Sequence, residues 1–499
     1  MMIYLRDKTI SETDANLDDA ESRSQDSSLM PLVVDLDDTF LKIDTLYELF
    51  VRAIFTAPIK TVLAVFRLRD GIATFKRCLT TIATLDFESL PVREDLIHYL
   101  KEQITRGRSV HLATAADQSI ADGVAGQFPI FKTVQGSSPE LNLKGGHKAA
   151  RLMQQFPDGF AYAGDSRADV PVWMAAKAAI IVSPDKLITE AVRNTSTPVE
   201  RIFPDQIHKK TAWLRAMRPH QWAKNLIVLV PIALGWRDVT LMGLATTLIM
   251  IGLLCLVASL TYLVNDMADL SSDRKHWSKR RRPFASGAIP VRDGLLVVGL
   301  TLPIACLAAL IVSPLAGICL LLYVATTLGY SFGWKRIPLF DTFVIALLFT
   351  IRILIGIAAA QLAPSAWLLT FSMFFFFSLA LAKRHTEILR AAEHDLKTLA
   401  GRGYQVGDQS LTLAFGSAAA MASIIIVVIY LVEEVFARQI YTTPEWLWIA
   451  PIAIFLFCCR IWALSHRGRM TDDPVAFALR DRVSIGLGAL VATAILLAL

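Results

Sequence analysis

Four short stretches in the first half of the chain place carboxylates, a hydroxyl and a lysine where a phosphate ester could be held and cleaved. Residues 31–39 read PLVVDLDDT, an apolar run that delivers Asp35 and Asp37 at its end. Two carboxylates two residues apart can divide labour, one as nucleophile and the other as proton shuttle. HLATA (111–115) offers the Thr114 hydroxyl for a phosphate oxygen, and GGHKAARL (145–152) opens a helix with Lys148, Lys144 being the alternative cation. FAYAGDSRAD (160–169) adds Asp165 and, one turn on, Asp169. Hard oxygens from Asp35, Asp165 and Asp169, with the Asp37 carbonyl, suit Mg²⁺.

A second constellation lies at the end of a long apolar segment, where residues 265–273 read NDMADLSSD. On a helix Asn265, Asp269 and Asp273 recur every four residues and share a face. Three oxygen-bearing side chains at a membrane surface make a platform for Mg²⁺ and a diphosphate. The chain runs straight on into Arg280, Arg281 and Arg282, cations suited to the same phosphates. Further polar residues interrupt apolar text: Lys224, Tyr330, Lys335, Asp341, Arg352, Lys383 and Arg384. Ionisable groups inside a membrane are costly and mark function.

The elements that carry these residues differ sharply between the halves. Up to about residue 205, short apolar runs alternate with charged text, the pattern of an α/β domain. Carboxylates at strand ends fit such a domain, because ligands bind beyond the carboxyl ends of its strands. From residue 226 the chain becomes a series of long apolar segments, read as 226–234, 241–264, 294–312, 315–332, 342–360, 367–382, 413–432, 446–459 and 485–499. These predict an all-α polytopic membrane domain of about nine transmembrane helices. The expected organisation is a disordered tail at 1–29, an α/β domain at 30–205 with a helical cap at about 46–105, and a membrane domain at 206–499.

Composition agrees. Of 499 residues 54% are hydrophobic and 19% charged, below the quarter of charged residues usual in soluble domains. A net charge of +6 is too small to indicate nucleic-acid binding. The six cysteines form no CxxC or His–Cys cluster, which argues against disulfide frameworks and zinc sites. The acidic, Ser-rich N-terminus is not a secretory signal. Basic residues concentrate in alternate connections, so the positive-inside rule puts those loops, both candidate sites and the N-terminal domain on the cytoplasmic side of the membrane.

In order and type, the four motifs of the first half resemble the haloacid-dehalogenase superfamily, a Rossmann-like α/β fold. The resemblance implies that Asp35 is phosphorylated and Asp37 protonates the leaving group. It also matches Thr114, Lys148, Asp165 and Asp169 to the remaining motifs. NDxxDxxxD followed by RRRPFASG (280–287) resembles the UbiA superfamily of intramembrane prenyltransferases over about 214–499. Those enzymes usually carry a second Asp-rich motif. Here that place reads YSFGWK (330–335) with Asp341 and has no DxxxD.

Together with MRPHQWAKN (217–225), Arg352, AKRHTE (382–387) and DDPVAFALRDR (472–482), this text is similar to the decaprenyl-phosphate phosphoribosyltransferases. The resemblance implies transfer of 5-phosphoribose from 5-phosphoribosyl 1-diphosphate to polyprenyl phosphate in a lipid bilayer, with Mg²⁺. Asn265, Asp269 and Asp273 would act on the diphosphate with Arg280, Arg281 and Arg282. Lys335, Lys383 and Arg384, or Lys224 and Arg352, would hold the 5-phosphate. The fused phosphatase would then remove that 5-phosphate. The alternative is an aromatic prenyltransferase with a fused phosphatase. Homo-oligomers are allowed by the sequence and not required by it.

Overall fold

A computed structural model describes residues 30–499 except 183–185, 205–208, 400, 438–440, 471–473 and 479. The tail expected at 1–29 and Asp472 lie outside the described residues. The chain divides into two compact units, Met1–Trp213 with Met267–Gly294, and Leu214–Asp266 with Leu295–Leu499. The segment 267–294, expected to belong wholly to the membrane domain, therefore packs as part of the first unit.

The first unit is built on six parallel strands: β1 (Leu32–Val34), β2 (Val110–Asp117), β3 (Val134–Ser137), β4 (Ala161–Gly164), β5 (Ala178–Val182) and β6 (Val199–Phe203). Their order is β3-β2-β1-β4-β5-β6, that of a doubly wound sheet. Strand β1 is an unbroken apolar run because both of its faces are covered. Leu32 and Val34 face one core with Leu112 and Ala163, while Val33 faces the other with Ala113, Tyr162 and Trp173. Val34 is level with Leu112 on one side and Ala163 on the other. Asp35, one residue beyond that level, and Thr114 and Asp165, two residues beyond it, thus follow at the carboxyl ends of three adjacent strands, where β1 has neighbours on both sides.

Between β1 and β2 come helices α1 (Thr45–Thr56), α2 (Pro58–Val65), α3 (Ile72–Ile82) and α4 (Glu94–Thr105). All four fall on the stretch 46–105 expected as a helical cap, the first beginning one residue before it. Helices α5 (Gln118–Gln127), α6 (Gly146–Gln155), α7 (Val170–Ala175) and α8 (Lys186–Arg193) complete the alternation.

The long helices follow. They are α9 (Leu241–Ala268), then the short α10 (Leu270–Lys275), α11 (Val291–Val312), α12 (Pro314–Phe332), α13 (Phe340–Ala360), α14 (Ala366–Glu393), α15 (Gln409–Tyr430), α16 (Ile449–His466) and α17 (Arg482–Ala498). Among the described residues seven helical runs are long and apolar enough to cross a membrane, where the sequence led us to expect nine. Of the other two expected segments, α17 is shorter, at 17 residues. The segment at 226–234 falls in a 3₁₀ stretch, Pro219–Leu229, that runs into a five-residue helix, Val230–Leu234. Pro231 there lacks the N–H that a continuous helix would use.

That irregular stretch docks closely on α13. A Cβ at Gly356 would lie 2.1 Å from the Val228 carbonyl oxygen, so only glycine allows the approach. One turn earlier Arg352 Nε donates to Asn225 Oδ1 at 3.0 Å. Gly356→Ala is expected to destabilise the membrane unit by about 1–3 kcal/mol through overpacking, read as a lower melting temperature in detergent. An unchanged melt would show that the two backbones can separate freely.

Candidate functional site

At the carboxyl edge of the sheet, the first unit gathers its charged residues around one lysine. Lys148, on the first turn of α6 and 2% exposed, sits 3.0 Å from Asp35 Oδ2 and 3.7 Å from Asp169 Oδ1. Its Nζ also donates to Tyr162 Oη at 2.8 Å, and that hydroxyl donates to Asp169 Oδ1 at 2.8 Å. The other Asp169 oxygen accepts from Ser166 Oγ at 2.8 Å. Thr39 Oγ1 donates to Asp165 Oδ1 at 3.1 Å. Thr114 is fully buried, its hydroxyl accepting from the Ala116 amide.

Burial dominates the electrostatics. It pushes the Asp35 carboxyl up to about 6, against the pull of Lys148 and with help from Asp169. Asp37 also rises to about 6 through burial and the nearby Asp44, while the Thr45 amide, donating at 2.8 Å, holds its carboxylate in place. Asp165 is raised well above the carboxylate range by burial beside Asp169 and Asp35. Burial works against the charge of Lys148, but Asp35 and Asp169 outweigh it and the amine ends above its usual value. These carboxylates crowd together with one lysine to balance them, the charge pattern of a cation site.

The geometry agrees with that pattern. Ligand oxygens of Asp35, Asp165 and Asp169 lie within 4.8 Å of one another. They are hard donors, and they fit Mg²⁺. The cap contributes Lys76 from α3, whose Nζ donates to the Ala115 carbonyl at 2.5 Å. Burial lowers the Lys76 amine, and the neighbouring Asp37 and Asp44 oppose that shift.

The Asp-rich segment is tied into the same unit. Arg274 forms a two-pronged pair with Glu48 of α1, Nη1 to Oε2 at 3.0 Å and Nη2 to Oε1 at 2.5 Å. Both side chains are at most 5% exposed, and Nε donates to the Ala285 carbonyl at 3.0 Å. Lys275 pairs with Asp86 at 2.7 Å, and Arg52 Nη1 donates to Ser271 Oγ at 3.2 Å. Gly287 has φ +74°, and a Cβ there would meet the Lys42 carbonyl at 2.8 Å. Asp273 is buried and held by Arg282 at 2.6 Å. Asp269 is half-buried, whereas Arg280 and Arg281 are exposed.

In the second unit the structure brings Tyr330, Asp341 and Arg384 together and adds three residues the sequence reading missed. Asp341 is wholly buried. It accepts from Arg384 Nε at 2.7 Å and from Tyr404 Oη at 2.6 Å, with Arg402 at 3.9 Å. Arg384 also pairs with Glu387, and both arginines donate to Tyr330 Oη. Lys335 is buried and Lys383 half-buried. Asn265 Oδ1 accepts from Ser331 Oγ at 3.4 Å, while its neighbour Asp266 is buried against Arg218. Arg352 belongs to a separate cluster. It donates to Asn225, Tyr323 Oη and the Leu348 carbonyl and lies over the rings of Tyr323 and Phe349. Lys224 is half-buried beside Asn225 in sequence.

The model of the UbiA prenyltransferase family matches residues 226–483. The chain belongs to that family. It is therefore a UbiA-type prenyltransferase and a multi-pass membrane protein. An uncharacterized protein of Sinorhizobium fredii is 39% identical over 94% of this chain and 91% of its own length. The decaprenyl-phosphate phosphoribosyltransferase of Mycobacterium tuberculosis is 30% identical over 54% of this chain and 88% of its own. A UbiA homolog from Archaeoglobus fulgidus, solved bound to GPP and Mg²⁺, is 14% identical with TM-score 0.43, over 57% of this chain and 99% of its own.

Within this UbiA chain, the buried Glu48, Tyr162 and Tyr404 and the half-buried Arg402 were legible only once their partners were in place. The signal available for Glu48 was a lone carboxylate in the apolar text TLYELFVRAIFT. Removing it strands Arg274. Glu48→Ala is expected to cost about 3–5 kcal/mol and to speed proteolytic cleavage within 269–287, read on gels. Cleavage at the wild-type rate would contradict this.

The raised carboxyls also give a pH dependence. Asp35 and Asp37 titrate near 6 when folded against 3.8 ordinarily. Their favourable contribution is therefore complete below 3.8 and lost as pH rises through about 6. Calorimetry of metal-free protein should show the transition of this unit falling across that window. Mg²⁺ should restore it at neutral pH and do little in acid.

Proposed function

We propose that the chain is a bifunctional membrane enzyme. Its UbiA half transfers 5-phosphoribose from 5-phosphoribosyl 1-diphosphate to a polyprenyl phosphate of the decaprenyl type. Its α/β unit, a phosphatase of the haloacid-dehalogenase type with a helical cap, then removes the 5-phosphate to leave polyprenyl phosphoribose. Both sites face the cytoplasm of a bacterial cell, as the basic connections imply.

The observation that carries this reading is the pairing of Asp341. Its carboxylate is consumed by Arg384, Tyr404 and Arg402 and so serves to orient guanidinium groups in place of a second metal–diphosphate platform. A cation pocket suits a substrate with a second, terminal phosphate, and Lys335 and Lys383 fall on the neighbouring stretches. Likeness to the phosphoribosyltransferases supports the same choice.

In the first step the bond between the anomeric carbon and the diphosphate oxygen breaks, and a lipid phosphate oxygen forms the new bond to that carbon. The nucleophile is already ionised, so the protein's task is orientation and stabilisation of the leaving diphosphate. Asp269 and Asp273, with the Asn265 amide oxygen, would serve that leaving group. Arg282, fixed by Asp273, brings positive charge, and Arg280 and Arg281 add more. Lys224 and Arg352 are the reserve cations for the ribose phosphate.

In the second step the Asp35 carboxylate attacks phosphorus, Asp37 gives its proton to the departing ribose oxygen, and water then hydrolyses the aspartyl phosphate. Lys148 steadies the Asp35 charge, and Thr114 holds a phosphate oxygen. Asp37, with its carboxyl near 6, keeps a protonated fraction near neutrality. Mg²⁺, held by Asp35, Asp165, Asp169 and the Asp37 carbonyl here and by Asn265, Asp269 and Asp273 in the UbiA half, would neutralise phosphate charge at both sites.

Mass spectrometry of lipid products tests the sequence of steps. Wild type, Asp35→Asn and Asp269→Ala would each receive phosphoribosyl diphosphate, polyprenyl phosphate and Mg²⁺. The expected products are polyprenyl phosphoribose from wild type, the 5-phosphorylated lipid from Asp35→Asn, and neither from Asp269→Ala. Dephosphorylated lipid from Asp35→Asn would overturn the phosphatase assignment. Consumption of a prenyl diphosphate with an aromatic acceptor, in place of phosphoribosyl diphosphate, would identify an aromatic prenyltransferase.

A further inference from the structure

The cap has an outer face that the phosphatase chemistry does not use. In α2, Thr61 and Ala64 are buried against the rest of the cap, while Ile59, Val62, Leu63 and Phe66 are 76, 58, 61 and 59% exposed. Their spacing of three, four and seven residues places them on one stripe of the helix and its 3₁₀ continuation Phe66–Asp70. Leu68 and Ile72, each 46% exposed, extend the patch into the start of α3. Large apolar side chains massed this way on a water-facing surface mark an interaction site.

Its rim is cationic. Lys60, Arg67 and Arg69 are exposed around it, and Asp70, the acidic residue of this hairpin turn, pairs with Arg67 at 3.2 Å. An apolar stripe bordered by lysine and arginine is the pattern of a helix lying at the boundary between headgroups and acyl chains of anionic lipid. A second copy of the chain fits less well. A two-fold interface would set these cations against their own equivalents.

We propose that α2 and the Phe66–Asp70 turn dock on the anionic lipid surface of the membrane in which the chain is embedded. The same hairpin meets the active site on its other side. Lys76 of α3 reaches the Ala115 carbonyl and lies beside Asp37, and Arg77 pairs with Asp117 at 3.0 Å. The apolar stripe and a cation beside Asp37 are thus carried by the same hairpin. The phosphatase site would take its phosphomonoester from the lipid surface, a consequence that rests on the phosphatase reading above.

The test uses the full chain in nanodiscs of phosphatidylcholine and phosphatidylglycerol. An environment-sensitive fluorophore is attached at Val62→Cys and, as a control, at Arg151→Cys on the exposed side of α6, with the unsubstituted chain correcting for native cysteines. Nitroxide-bearing lipids should quench most of the emission at 62 and leave 151 unchanged. Aqueous iodide should do the reverse. Equal iodide access at both positions, without lipid quenching, would overturn the proposal, as would protection at 62 that depends on protein concentration in detergent.

Separately, Ile59→Ser/Val62→Ser/Leu63→Ser/Phe66→Ser alters only exposed side chains, and an unchanged melt would confirm its fold. It should lower dephosphorylation of a vesicle-borne lipid phosphate by about an order of magnitude and leave hydrolysis of soluble para-nitrophenyl phosphate intact. Equal rates on vesicles would count against a role for docking in turnover. Failure of wild type to hydrolyse either substrate would remove the phosphatase reading alone, because the quenching measurement needs no catalysis.

Discussion

The buried pair between Arg274 and Glu48 is the interaction on which the Asp-rich segment depends. Two charges withdrawn from water are costly, and they are held only where geometry is good and the remaining donors are met. Here both carboxylate oxygens are used, and the third guanidinium nitrogen reaches the Ala285 carbonyl. The pair fixes a segment that would otherwise be an open connection between long helices. Once it is fixed, Asp273 can hold Arg282, and Gly287 can turn against Lys42 with its positive φ. The Asp-rich loop is thereby given the rigidity of a domain.

Two further buried carboxylate sites show how different partners lead to different chemistry. Around Lys148, Asp35, Asp165 and Asp169 outnumber the cation, and burial raises the carboxyls that remain uncompensated. Such a site is hungry for positive charge. Around Asp341 the balance is reversed: Arg384 and Arg402 match Asp341 and Glu387 charge for charge, and Lys383 beside Glu387 leaves one cation over. Tyr404 and Tyr330 complete the hydrogen bonding. That arrangement favours an anion, and the identity of the surplus charge, not the number of acidic residues, separates the two sites.

Much of this was legible in the sequence. Strand β1 announced itself because it is covered on both faces and so is apolar without alternation, and its end had to carry the chemistry. The long helices were legible because a membrane-spanning helix has no polar face to interrupt it. What could not be read were the pairings across distance. Glu48 and Arg274 are 226 residues apart, and Asp341 and Tyr404 are 63 apart. Neither element shows its need for the other by local pattern. The form of the segment at 226–234, a 3₁₀ stretch running into a short helix, was hidden for a related reason. Hydropathy registers composition, and it does not register Pro231 or the close passage of Val228 over Gly356.

The cluster around Arg352 bears on how the membrane half assembles. Among the described residues no carboxylate pairs with this arginine. Its charge is received by Asn225, Tyr323, a backbone carbonyl and two aromatic rings. A helix carrying such a charge near its centre enters a bilayer alone at a cost of about 3 kcal/mol. Asn225 and Tyr323 both precede α13 in the chain, so they leave the ribosome before it. When Arg352 arrives, the groups that accept its guanidinium are already synthesised, and the order of translation matches the order in which the bundle can close around its buried charge.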